Sequence, residues 1–182
     1  MKIFNILILI SIIPLVGVML LILIPGRYNS YCFNAALFIS SLTFILSLIM
    51  WLIFDSGHNS FQFLCTIDWL PAFNFYYTVG VDGISLFFLI LTTFLIMVCV
   101  LISWGSINYR LKEYLINFLL LEFLLIQVFS VLDLLLFYVF FESILMPMFL
   151  IIGIWGSRER KIRAAYQFFF YTLVVVVLSF LA

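Results

Sequence analysis

Apolar runs of about 20 residues, repeated six times, constrain this chain more than any other feature. A helix rises 1.5 Å per residue, so roughly 20 apolar residues cross a hydrocarbon layer of about 30 Å. Runs of that length occupy 3–24, 31–54, 84–104, 114–132, 134–155 and 164–182. The expected fold class is an all-α membrane protein with six transmembrane helices. One membrane domain then covers 1–182, with an outer loop at 55–83 and a basic inner loop at 156–163. With 68% hydrophobic and 9% charged residues, a soluble globular domain is excluded. Eight basic residues balance eight acidic ones, which leaves no electrostatic case for nucleic acid or another polyanion. Three cysteines, none in a C-x-x-C pair, make neither a disulfide framework nor a metal site.

The breaks between the runs carry their own signals. Pro25-Gly26-Arg27-Tyr28-Asn29-Ser30 stops the first helix and turns the chain. Without a turn near Ser130–Asp133, residues 114–155 would form one helix of 42 residues, about twice the membrane thickness. The first run is longer than a signal-peptide core and no small-x-small cleavage site follows it, so it reads as a retained helix. Charge then orients the bundle. Arg27, Arg110, Lys112, Arg158, Arg160, Lys161 and Arg163 fall in the loops on one side, and Lys2 alone on the other. Positive loops stay in the cytoplasm or matrix, which sends both termini to the opposite compartment.

In the outer loop, Trp69-Leu70-Pro71 and Phe73-Asn74-Phe75-Tyr76-Tyr77 read as an interfacial aromatic segment. His58 reads as a solvated loop residue. Asp82 precedes Gly83-Ile84-Ser85 as an N-cap for the third helix. Cys32, Cys65 and Cys99 read as small apolar or loop residues.

All but two of the charged residues lie outside the runs. The exceptions, Glu122 and Glu142, sit close to the middle of the fourth and fifth runs. A buried acid is costly in a bilayer and normally faces the bundle interior, pairs with a base or takes up a proton. Desolvation favours its neutral form and a nearby lysine its charged form. Where those pulls nearly balance, moving the partner moves a proton, the requirement for a relay. Pro147 has no N–H for the carbonyl of Ser143, beside Glu142, which points to a kinked and locally polar helix able to admit water. The alternative is that both acids make structural interhelical hydrogen bonds. Gln127 reads as an interhelical hydrogen-bonding group. The Ser157–Arg163 cluster reads as an inner-face anchor, or as a contact for a partner subunit or anionic lipid.

Three segments resemble a known family. Gly80-Val81-Asp82-Gly83-Ile84-Ser85, then Phe141-Glu142-Ser143-Ile144-Leu145-Met146-Pro147-Met148-Phe149, then Gly153-Ile154-Trp155-Gly156-Ser157-Arg158 are similar to the antiporter-like membrane subunits of respiratory complex I, the NADH:ubiquinone oxidoreductase. The likeness runs from about Tyr76 to Thr172; the first two helices match only in hydropathy and spacing. The resemblance implies a proton-translocating subunit of the inner mitochondrial membrane, with no redox cofactor of its own and with other membrane-arm subunits as partners. It implies that Glu142 pairs with a lysine on a seventh helix and belongs to a chain of protonatable groups. It matches Glu122 to a family glutamate on the fourth helix.

Members of that family have about fourteen helices, and this chain ends after the sixth. No basic residue here lies within a run, so Glu142 lacks a buried basic partner in this chain. The expectation is a split subunit, whose second chain supplies the remaining helices and the lysine partner of Glu142. A truncated product is the alternative. Two other functions stay open: a subunit of a multisubunit cation/proton antiporter, and a structural membrane subunit with inert acids.

Overall fold

A computed structural model describes residues 6–26, 29–55, 57, 60–70, 75–107, 109–156 and 161–181. Lys2, Arg27, His58, Pro71, Phe73, Asn74, Ser157, Arg158 and Arg160 lie outside them. In chain order the elements are α1 (Ile6–Leu23), α2 (Asn29–Ile53), β1 (Gln62–Leu70), β2 (Phe75–Val81), α3 (Gly83–Ser106), α4 (Leu111–Ser130), α5 (Leu134–Trp155) and α6 (Lys161–Leu181). Among the described residues, α1 to α5 are each long and apolar enough to cross a membrane, and α6 carries the shorter apolar stretch Ile162–Val175.

Local chemistry sets the helix ends. The Asp82 side chain accepts from the Ser85 N–H, and Ser85 Oγ accepts from the Asp82 N–H at 2.7 Å, the reciprocal capping box of α3; Asp82 Oδ1 also accepts from the Gly83 N–H at 2.7 Å. Asp133 ends the long apolar stretch as expected. Its Oδ1 accepts from the Leu135 N–H at 2.8 Å and starts α5 immediately after α4 stops at Ser130. The last turn of α3 is broken at Trp104–Gly105, where Gly105 takes φ +79°, a conformation that costs other residues strain. At the end of α1 the terminal carbonyls find a cation. Lys112 Nζ donates to Ile22 O at 2.9 Å and Ile24 O at 2.7 Å.

Helix α4 is the hub. It packs against α1, α2, α3 and α5, and its end meets β2. Helices α1 to α4 close around two apolar clusters stacked along the bundle. The cluster toward the Lys112 end includes Val18, Leu21, Ala36, Ile39, Val100, Leu115 and Leu119. The one toward the opposite end includes Leu7, Ile10, Met50, Leu86, Leu89, Ile126 and Val131. Helix α5 adds Leu136 to the second cluster and otherwise lies at the edge of this core, between α4 and α6.

The expected outer loop contains an antiparallel hairpin, which the aromatic-segment reading missed. Strands β1 and β2 pair from Gln62↔Val81 to Leu70↔Phe75. The runs are aromatic and β-branched, as strands favour, and Pro71 and Asn74 punctuate between them. The Leu132 N–H donates to Thr78 O at 3.0 Å, and Val79 bridges to Val131, seating β2 on the α4–α5 turn. Val79 and Val81 bury their side chains in the neighbouring cluster.

Candidate functional site

Between the two apolar clusters each of the first four helices turns a polar side chain inward: Ser11 on α1, Ser40, Thr43 and Ser47 on α2, Thr92 and Thr93 on α3, and Glu122 on α4. On α2 the polar positions recur every three to four residues, so they share one helical face. The result is a polar belt inside the bundle, sealed by hydrocarbon above and below.

Glu122 is the charged-type residue in that belt and is fully buried. Thr43 Oγ1 is hydrogen-bonded to Glu122 Oε1, while Oε2 has no partner. The same Thr43 hydroxyl lies 2.8 Å from Ser40 O. The Ser47 and Thr93 hydroxyls hydrogen-bond to each other at 3.0 Å, tying α2 to α3. A buried polar atom without a partner costs about 1–3 kcal/mol, and more when charged. That cost is tolerated here at one carboxyl oxygen, which makes Glu122 the least structurally explained side chain of the core.

Glu142 is placed differently. It lies on α5 with an exposed side chain, and no described residue forms an ion pair with it. The two acids of the sequence reading are therefore not brought together. Glu122 faces into the four-helix core, whereas Glu142 lies outside it on the helix between α4 and α6. Helix α5 continues through Pro147, which is buried, and Ser143 Oγ donates back to Val139 O at 2.7 Å.

Gln127 is buried and hydrogen-bonded to the Tyr77 hydroxyl, so its partner is the hairpin rather than another helix. Burial pushes the Tyr77 phenol above its usual value, against the opposing effect of that hydrogen bond. An apolar cavity of about 280 Å³ lies between the hairpin and α5, lined by Ile67, Tyr77, Leu136 and Phe140. Among the described residues no three His, Cys, Asp or Glu side chains gather as a metal site. Thr43, Ser47 and Thr93 escaped the sequence reading, and Tyr77 figured in it as part of an interfacial aromatic segment, not as a partner of Gln127. The three-to-four spacing of Ser40, Thr43 and Ser47 was the available signal for the first of these.

The bundle defines the class: an all-α membrane protein of the antiporter-like type. Its backbone superposes on a chain of respiratory complex I from Thermus thermophilus with bound NADH, with a TM-score of 0.77 and 28% identity, over 93% of this chain and 33% of that one. The family profile described as NADH:quinone oxidoreductase/Mrp antiporter, transmembrane, matches residues 131–182. The chain is 63% identical over 182 residues to NADH-ubiquinone oxidoreductase chain 4 of Chondrus crispus, covering 100% of this chain and 37% of that one. Against chain 4 of Arabidopsis thaliana it is 53% identical over 169 residues, 93% of this chain and 34% of that one. The chain belongs to the antiporter-like membrane-subunit family of NADH:quinone oxidoreductases, and it spans about a third of the length of the curated relatives it matches.

Proposed function

We propose that this chain forms the N-terminal part of a subunit 4 in the membrane arm of respiratory NADH:ubiquinone oxidoreductase, where it helps couple quinone reduction to proton translocation. The carrying observation is the 63% identity to chain 4 of that enzyme across the whole chain. Glu122 and Glu142 are its protonatable groups. The buried polar belt around Glu122 supports a proton-handling role, because a buried acid with a hydroxyl partner and no ion pair can exist in its neutral form and exchange a proton. The exposed face of α5 that carries Glu142 is where a second chain would supply the remaining helices and a lysine partner. In this reading the chain is a multi-pass protein of the inner mitochondrial membrane, with its basic loops in the matrix and both termini toward the intermembrane space. It holds no redox cofactor and contacts other membrane-arm subunits and lipid.

The test is Glu142→Gln and Glu122→Gln in the assembled complex, with NADH-driven proton uptake measured in proteoliposomes. Impaired pumping and coupled turnover are expected for Glu142→Gln with assembly retained, and a partial loss for Glu122→Gln. Normal proton uptake by a variant would remove the relay role of that residue. The match of residues 131–182 to a profile that also covers Mrp antiporters supports a second reading, a subunit of a multisubunit cation/proton antiporter. Purifying the native complex separates them. Co-migration with NADH dehydrogenase subunits favours the first reading, and their absence the second.

A further inference from the structure

Building on the relay reading of Glu122, we propose that Thr43 is the positioning residue for this acid: its single hydroxyl lets Glu122 hold or release a proton without movement of the backbone.

The argument is an inventory of donors and acceptors. Thr43 Oγ1 has two neighbours at hydrogen-bonding range, Ser40 O and Glu122 Oε1. A hydroxyl carries one proton and two lone pairs; a backbone carbonyl only accepts, and so does an ionised carboxylate. With Glu122 protonated, its O–H donates to Thr43 Oγ1, and the Thr43 proton serves Ser40 O. With Glu122 ionised, the Thr43 proton turns to the carboxylate, and Ser40 O keeps its own place in the helical ladder of α2. One rotation about a C–O bond exchanges the two arrangements, and each satisfies the shared oxygen.

The surrounding belt leaves this task to Thr43. Ser11 Oγ donates to Leu7 O at 2.7 Å and Thr92 Oγ1 to Leu89 O at 2.8 Å. Ser47 and Thr93 are occupied with each other at 3.0 Å. Oε2 of Glu122 is buried without a partner, so the hydrogen bonding that distinguishes the two protonation states falls on Oε1 and Thr43. No described residue forms an ion pair with Glu122. Sequence alone could not single out Thr43 from the other hydroxyls of α2, because the pairing joins positions 79 residues apart.

The experiment uses the assembled complex in native membranes with Thr43→Val, Thr43→Ser and Glu122→Gln. Two quantities are read: proton pumping per NADH oxidised, and the carboxylic-acid C=O infrared band that disappears in Glu122→Gln. Thr43→Val keeps the side-chain shape and removes the hydroxyl. It is expected to lower pumping by no more than Glu122→Gln does, with about tenfold, the scale of one buried hydrogen bond, as the ceiling, and to move the band to higher frequency. Thr43→Ser should restore both. If Thr43→Val does not accumulate, Thr43→Ala is read in its place. Normal pumping with an unmoved band overturns the proposal, as does reduced pumping with an unmoved band, the mark of a packing defect. Failure of Thr43→Ser to restore the band also overturns it. Normal pumping by Glu122→Gln sinks the relay reading itself; an impaired Glu122→Gln beside an unaffected Thr43→Val sinks the Thr43 proposal alone.

Discussion

Gly17 of α1 sits directly against Ile39 of α2 and Leu119 of α4, and adding one methyl group there tests the packing of the bundle. An alanine Cβ at this position would lie 2.8 Å from Ile39 Cδ1, 2.9 Å from Ile39 Cγ2 and 3.0 Å from Leu119 Cδ1. Carbon atoms in good contact stand about 3.5–4.0 Å apart, so α1 must retreat or Ile39 must leave its rotamer. Overpacking of this kind costs about 1–3 kcal/mol. Alanine recovers about 1 kcal/mol over glycine inside a helix, which leaves a net loss of about 0–2 kcal/mol. That range is too wide for a single variant to be decisive. The sharper quantity is the coupling with Ile39→Ala, which removes both offending Ile39 atoms. The predicted coupling is about 1–2 kcal/mol, with Gly17→Ala better tolerated in the Ile39→Ala background. Unfolding of the detergent-solubilised chain, followed by circular dichroism for wild type, both singles and the double, closes the cycle. Strictly additive losses would falsify the claim that α1 and α2 meet at this glycine.

Two further predictions concern the ends of the bundle. Lys112→Met removes the ammonium group from Ile22 O and Ile24 O and should cost about 1.5–3 kcal/mol, the scale of a charge-assisted hydrogen bond; an unchanged unfolding midpoint would show that the contact carries no stability. The Tyr77 phenol is raised above its ordinary value of 10.0 by burial. The unfolded chain therefore loses this proton first as pH rises, so the stability is present below pH 10 and is lost as pH climbs through the higher folded value. Alkaline unfolding curves for Tyr77→Phe should show a smaller decline, and an identical decline in wild type and variant would rule out Tyr77 as a source of it.

The helices were legible because length and hydropathy act locally. Asp82 and Asp133 were readable as breaks since a side-chain cap needs only a carboxylate two or three residues from free N–H groups. The hairpin was not, although Thr66, Ile67, Thr78 and Val79 favour strands. The aromatic residues around them fit an interfacial belt equally well, and nothing in either run encodes their pairing. For the acids, sequence gave depth but not direction. Glu122 and Glu142 look alike as single charges in apolar runs. Only packing separates them, because α4 is surrounded and α5 has neighbours in α4 and α6. Lys112 shows the same limit. Its charge counts toward orientation from sequence, while its contact with the end of α1 spans 88 residues at Ile24 and cannot be seen there.

The central position of α4 also determines where a chain of this fold tolerates being divided. Ser40, Thr43, Ser47, Thr92 and Thr93 are buried in the bundle, and Thr43 reaches Glu122 on α4, which packs against α1, α2 and α3. A fragment ending at α3 would lack Glu122, the partner of Thr43, and the α4 residues of both apolar clusters. A cut after α5 would leave both apolar clusters and the belt closed. Division near Gly156 therefore keeps the four packed helices on one piece, whereas division at Ile107 makes the core depend on two pieces coming together, and the fourth helix is the point in synthesis at which the bundle first has all of its core helices.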